Sequence, residues 1–191
     1  RNWKAEIDFF SKNIEYKYLV VDENNHTIDE EICSHKLNFV NNFSEYNIYD
    51  VWNNKNFPEN YLNNKILQNK LGDFKPEKVS ILKKHTHLFR IEAPLYSKDW
   101  RLVILGNSDA LGNWQYNNAV KMAQTSLGVW EVAVDLQKQR EFAQYKYAIL
   151  DEKTGEIIAI EYGDNRMAFS NQEKEILQIQ ADHFFRFNAE H

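Results

Sequence analysis

Trp130-Glu131-Val132-Ala133-Val134-Asp135-Leu136 alternates large apolar residues with charged or small ones. Trp130, Val132, Val134 and Leu136 therefore fall on one face of an extended chain, the mark of a strand with one buried side. Leu88–Ala93 repeats the pattern, with Phe89, Ile91 and Ala93 set against Arg90 and Glu92. Leu102–Leu105 is apolar throughout, as in a strand covered on both faces. Tyr145–Leu150 and Ile157–Ile160 are further short strands, separated by Asp151-Glu152-Lys153-Thr154-Gly155, which is turn chemistry. Leu177, Ile179, Ala181 and Phe185 fit a closing strand, although Glu173–Ile179 also carries helical spacing. Short strands at intervals of roughly ten residues predict an all-β, antiparallel β-sandwich.

The remaining composition narrows the function classes. The 191 residues are 43% hydrophobic and 27% charged, ordinary for a globular chain. No run of eighteen apolar residues is present, so no membrane-spanning helix is expected. A net charge of −5 carries no basic footprint for nucleic acid or an anionic membrane. The single cysteine, Cys33, has no internal disulfide partner. Aromatics reach 14%, with 5 Trp and 10 Tyr. Such side chains build cores and also surfaces that grip amphipathic ligands. The chain opens at Arg1 rather than Met, so we expect a piece of a longer protein.

The first part of the chain reads differently. One short helix is predicted between Asn56 and Gly72, with Asn56 as cap, Pro58 in the first turn and Leu62, Ile66 and Leu71 on one face. An internal repeat sets the domain division. Trp3-Lys4-Ala5-Glu6-Ile7-Asp8 resembles Trp130-Glu131-Val132-Ala133-Val134-Asp135, and Glu15–Glu23 resembles Gln144–Glu152. We expect residues 1–78 to be the C-terminal part of a first module plus a linker. Residues 79–187 would be a complete module, and 188–191 would start a further linker. Without its front half, the first copy should lean on the second or be poorly ordered. Trp3 and Trp130 are both expected in a core.

Leu105-Gly106-Asn107-Ser108-Asp109-Ala110-Leu111-Gly112-Asn113-Trp114 is the most informative stretch for chemistry. A buried strand ends at Gly106, and a second turn at Gly112-Asn113 presents Trp114. An indole beside two turn residues suits the apolar face of a pyranose ring, provided hydrogen-bonding groups flank it. His85 and His87 share a face if extended, but no third metal ligand is spaced to join them, so they are read as surface imidazoles. Carboxylate pairs such as Asp151-Glu152 fall in turns, whereas a glycosidase needs two facing each other across a cleft. No phosphate-binding glycine loop is present. Neither a catalytic site nor a cofactor is expected in this chain.

The order of Phe89-Arg90-Ile91, Val103-Ile104-Leu105-Gly106, Leu111-Gly112-Asn113-Trp114, Trp130, Tyr145-Lys146-Tyr147 and Glu161-Tyr162-Gly163-Asp164-Asn165-Arg166 resembles the starch-binding domain of carbohydrate-binding module family 20. The resemblance implies an immunoglobulin-like sandwich that binds α-glucans: starch, glycogen or maltooligosaccharides. It places Trp114 as stacking platform, with Lys146, Glu161 and Asn165 on sugar hydroxyls. The family usually has a second tryptophan where this chain has Ile160, and Tyr162 or Tyr116 would have to replace it. Tyrosines of the family's second site have no counterpart in Leu102-Val103-Ile104 or Gln124-Thr125-Ser126. The double arrangement is similar to the N-terminal region of glycoside hydrolase family 77 4-α-glucanotransferases, the disproportionating enzymes. That similarity implies a catalytic domain in cis, beyond Asp182-His183-Phe184-Phe185-Arg186-Phe187, and a cytoplasmic setting. The alternative reading is a spacer or docking module that has lost sugar binding.

Overall fold

The computed structural model describes residues 3–31, 34–40, 43–50, 52, 74–95, 97–138, 141–170, 173 and 175–187. The helix expected between Asn56 and Gly72 lies outside them.

The later part of the chain is a β-sandwich. One sheet is built from β5 (Glu45–Tyr49), β14 (Ile176–Phe184), β6 (His87–Glu92), β10 (Val129–Val134) and β9 (Ala123–Ser126), in that spatial order. The other runs β12 (Glu156–Ile160), β11 (Phe142–Asp151), β7 (Trp100–Gly106) and β8 (Val120–Lys121), with β13 (Arg166–Phe169) also paired to β11. The pairs are antiparallel except at β14, which runs parallel to both β6 and β5. The closing segment is therefore a strand, as the leading reading held, but it breaks the antiparallel pattern.

The alternation read from the sequence becomes the core between the sheets. Phe89, Ile91, Trp130 and Val134 from one sheet meet Leu102, Ile104, Tyr145, Tyr147 and Ile149 from the other. The Trp130 indole is buried and donates to the Ala93 carbonyl at 3.0 Å, so its one polar atom is satisfied. Leu102–Leu105 is apolar on both sides because both are covered: Val103 and Leu105 belong to a second cluster on the outer face of their sheet.

The first part of the chain supplies β1 (Asn13–Tyr16) paired with β4 (His35–Asn38), and β2 (Leu19–Val21) paired with β3 (Thr27–Glu30). Leu37, Phe39 and Phe43 pack with Leu88, Leu177 and Ile179, on the outer side of the first sheet. Arg90 reaches the same way, donating to the Lys36 carbonyl at 2.7 Å. Trp3 does not enter a core: it is 90% exposed, in a stretch with no strand. The sequence likeness to Trp130 misleads here because Trp130 is buried by the strands flanking it, β6 and β9, and Trp3 has no such flanks. His87 also departs from expectation. It is buried, with Nδ1 2.8 Å from Thr86 Oγ1 and Nε2 2.8 Å from the Phe169 carbonyl, because its strand lies in the middle of a sheet.

A charged network is sealed inside the later module. Arg166 donates through Nη2 to Glu161 Oε1 at 2.7 Å, and its Nη1 lies 3.3 Å from Asp182 Oδ1. The Tyr145 and Tyr147 hydroxyls each donate to Asp182 Oδ2 at 2.7 Å. Glu161 Oε2 also accepts from the Tyr147 backbone N–H at 3.2 Å, and Oε1 from that of Arg186 at 3.1 Å. Burial pushes the Glu161 carboxyl up, yet Arg166 and the backbone donors outweigh it and hold the group below the usual range. Asp182 goes the other way, raised by burial in spite of Arg166 and the tyrosines.

Two consequences can be measured. Glu161→Gln leaves the Arg166 guanidinium buried with half its pairing, a loss of about 3–5 kcal/mol at pH 7 by urea unfolding. A depressed carboxylate stabilises the fold above its unfolded value, and this is lost as pH falls through the lower folded value. The gap between wild type and Glu161→Gln should therefore narrow steadily below about pH 4.5, the ordinary glutamate value. A gap that stays constant down to pH 3 is the contrary outcome.

Candidate functional site

The loop after β7 is fixed by two close backbone approaches. A side chain on Gly106 would collide with the Gln144 carbonyl, and one on Gly112 with the Asn118 carbonyl. Gly112, Asn113 and Trp114 have φ of 76°, 50° and 60°, three successive residues in the left-handed region. Glycine takes this freely and asparagine tolerates it, but a tryptophan there costs on the order of 1–3 kcal/mol. Neighbours enforce it. The Asn113 N–H donates to the Ser108 carbonyl at 3.0 Å, the Gln115 N–H to that of Gly112 at 2.9 Å, and Asn113 Nδ2 to Asp109 Oδ1 at 2.6 Å. Conformations of this kind cluster at ligand sites.

The strained turn delivers the Trp114 indole to the outer face of the second sheet. There it is half-buried against the cluster of Val103, Leu105 and Ala148. Together with Gln115, Tyr116 and Asn117 it lines a shallow depression open to solvent. Tyr116 is well exposed. The expected platform is thus neither sealed in the core nor wholly free.

Lys146 alternates with Tyr145 and Tyr147 along β11. Both tyrosines point into the core, so Lys146 projects to the outer face, opposite Leu105 on β7. Its Nζ donates to the Gly163 carbonyl at 2.6 Å and to that of Glu161 at 3.3 Å. The lysine thereby ties down the loop after β12. Ile160 is the register partner of Ala148 and lies on the same face, partly exposed. Tyr162 and Asn165 are exposed on the tethered loop, and Asn165 Nδ2 donates to Gln144 Oε1 at 3.2 Å. Arg186 holds the loop from behind, donating to the Asp164 carbonyl at 2.7 Å.

Glu161 is placed otherwise than expected. It is 2% exposed and both carboxylate oxygens face Arg166 and backbone donors inside the module. Its side chain follows the inward half of the β12 alternation, one residue past Ile160, so it anchors the scaffold instead of meeting a surface ligand. The structure thus gathers Trp114 and Lys146 on one sheet face, with Tyr162 and Asn165 on a loop tied to Lys146, and removes Glu161. The sequence also gave no sign that Gln115 and Asn117 line the depression, since polar loop residues carry no periodic signal.

An aromatic plane seated on an apolar cluster, with amide and phenol groups around it, presents a stacking surface and hydrogen-bonding groups to a ligand that has an apolar face and a polar rim. No match was found among curated proteins. Several solved structures resemble the chain. A glycoside hydrolase family 15 glucoamylase from Hypocrea jecorina has 17% identity and a TM-score of 0.47, covering 60% of this chain and 19% of that one. The family 20 carbohydrate-binding module of the maltotetraose-forming amylase from Pseudomonas saccharophila STB07 has 20% identity and a TM-score of 0.44, covering 52% of this chain and 98% of that one. A glucoamylase from Hormoconis resinae has 19% identity and a TM-score of 0.46, covering 55% and 18%. The family model described as "Starch binding domain" matches residues 84–178, the stretch that holds most of the sandwich, the left-handed turn and the tethered loop.

Proposed function

We propose that the chain binds α-1,4-glucan through Trp114, with Lys146, Asn165 and Tyr162 supplying polar contacts around the stacked ring. The observation that carries this is the position of the indole: half-buried on a strained turn, edging an open depression, on the face that also bears Lys146. A single platform suits the curl of an α-linked chain, whereas an extended β-glucan needs a flat row of rings. Glu161 has no part in sugar contact. Binding is this chain's task, and any chemistry on the glucan belongs to a catalytic domain in cis.

The parent we infer is a cytoplasmic 4-α-glucanotransferase of glycoside hydrolase family 77, with residues 1–78 the C-terminal part of a first starch-binding module. Support for the partial copy comes from partner patterns. The Tyr18 N–H donates to Glu31 at 2.9 Å as that of Tyr147 does to Glu161, and the Tyr16 hydroxyl to Asp50 at 2.7 Å as that of Tyr145 does to Asp182. Glucan binding by two linked modules would raise avidity through effective concentration.

A second reading is favoured by one observation: Ile160 occupies the surface position where a further ring would lie. In that reading the module serves as a spacer or docking surface without holding sugar.

Isothermal titration with β-cyclodextrin and maltoheptaose separates the two. A single platform gives wild type a dissociation constant on the order of 0.1–1 mM, and Trp114→Ala weakens it about tenfold or more, equivalent to ~1.4 kcal/mol. No heat from wild type, with retention of the chain by the separately produced catalytic domain, supports docking instead. Ile160→Trp should strengthen binding by roughly threefold to tenfold by adding a second stacking surface on the same face. An unchanged constant would place position 160 outside the sugar's reach.

A further inference from the structure

His35, Asp50 and His183 each bring one donor atom to within 4.8 Å of the others, the one such group found among the described residues. They come from three separated stretches: His35 opens β4, Asp50 follows β5, and His183 lies in β14. His35 Nδ1 is 3.0 Å from Asp50 Oδ2, and His183 Nε2 is 3.6 Å from Asp50 Oδ1. Their side chains are only 9%, 4% and 13% exposed. Ligand atoms about 2.0–2.2 Å from a tetrahedral zinc ion stand roughly 3.3–3.5 Å apart, so the two histidine–aspartate separations lie close to coordination spacing and all three donors fall within 4.8 Å of one another.

The surroundings match such a shell as well. The Glu31 carboxylate, fully buried, lies 2.8 Å from His35 Nε2, which turns Nδ1 toward Asp50. A carboxylate on the far nitrogen of a ligating histidine is the usual orienting contact at metal sites. Tyr16 holds Asp50 Oδ2 from the other side at 2.7 Å. The strand β14 changes register between Ala181 and Phe184, where His183 takes φ 50°, and this irregularity aims the imidazole at Asp50.

The types of side chain present point the same way. In the later module the buried carboxylates of Glu161 and Asp182 are met by the guanidiniums of Arg166 and Arg186. Glu31 and Asp50 hold corresponding places on Tyr18 and Tyr16, but residues 2–89 contain no arginine. Imidazoles lie beside them instead, and a neutral imidazole next to a carboxylate is a metal-ligand pairing. We propose that His35, Asp50 and His183 form a structural site for a divalent transition-metal ion, with zinc the ion best suited to two imidazoles and one carboxylate. The ion would staple β4 and the end of β5 to β14. This site is independent of the glucan reading.

The test uses the full 191-residue chain stripped with a chelator. Zinc is titrated in competition with a chromophoric chelator, and thermal unfolding is recorded with and without it. One zinc per chain and a raised Tm are expected. His35→Ala and His183→Ala should each weaken zinc about tenfold to a hundredfold, while Cys33→Ser keeps wild-type affinity and His183→Ala keeps β-cyclodextrin binding. If His35→Ala does not fold, His183→Ala decides, together with cobalt substitution. Visible bands of a tetrahedral cobalt site without a thiolate charge-transfer band support the site. No saturable zinc, equal affinity in wild type and His183→Ala, or loss of zinc in Cys33→Ser each overturns it. In the first case the cluster is a hydrogen-bonded network only.

Discussion

A guanidinium held between two carboxylates inside a protein must have nearly all of its donors occupied, because a buried charge without partners costs several kcal/mol. Arg166 meets that condition by bonding Glu161, Asp182 and the Phe184 carbonyl, with the Tyr147 ring 5.4 Å away. Those partners belong to β11, the residue after β12, and β14, so the ion network joins both sheets at one point. The rest of the architecture is arranged around it. With Tyr145 and Tyr147 pinned inward, Lys146 has only the outer face to occupy. With Glu161 pinned inward, the following loop leaves the sheet where Lys146 can reach its carbonyls. The face that carries Lys146 and the loop after β12 is therefore positioned by buried charges.

Much of this was legible in the sequence because it depends on period two. Phe89, Ile91, Trp130, Val134, Tyr145 and Tyr147 all went where alternation sends them, and the turn at Asp151–Gly155 joined β11 to β12. The Trp114 turn was also readable, since Gly112 and Asn113 are the residue types that accept positive φ. What escaped was everything set by charge rather than by periodicity. A glutamate after a strand looks like a surface ligand until Arg166 is known to lie beneath it. His87 looked like an exposed imidazole because one residue cannot announce that its strand has neighbours on both sides. The parallel direction of β14 was illegible for the same reason, as direction is a property of the chain's path.

The first fifty residues illustrate the complementary lesson. The likeness between Glu15–Glu23 and Gln144–Glu152 carries through to three-dimensional partners, with tyrosine, glutamate and aspartate meeting in the same way. The likeness between Trp3–Asp8 and Trp130–Asp135 does not, and Trp3 stands in solvent. The tyrosines of the motif meet like acceptors from outside it, whereas burial of a large ring needs neighbouring strands that a short motif does not bring.

The parallel strand β14 has an effect on how the molecule is made. It is the last strand among the described residues, yet it fills the slot between β5 and β6, pairing Ile179 with Ile48 on one side and Leu88 on the other. A growing polypeptide emerging from the ribosome would expose Leu88 and the edge of β6 until residues 176–184 had been synthesised. Partners so far apart along the chain close slowly, because loop entropy is lost before any contact compensates it. Closure of this sheet thus waits for its most distant strand, and a chain lacking it offers an open β-edge to its neighbours.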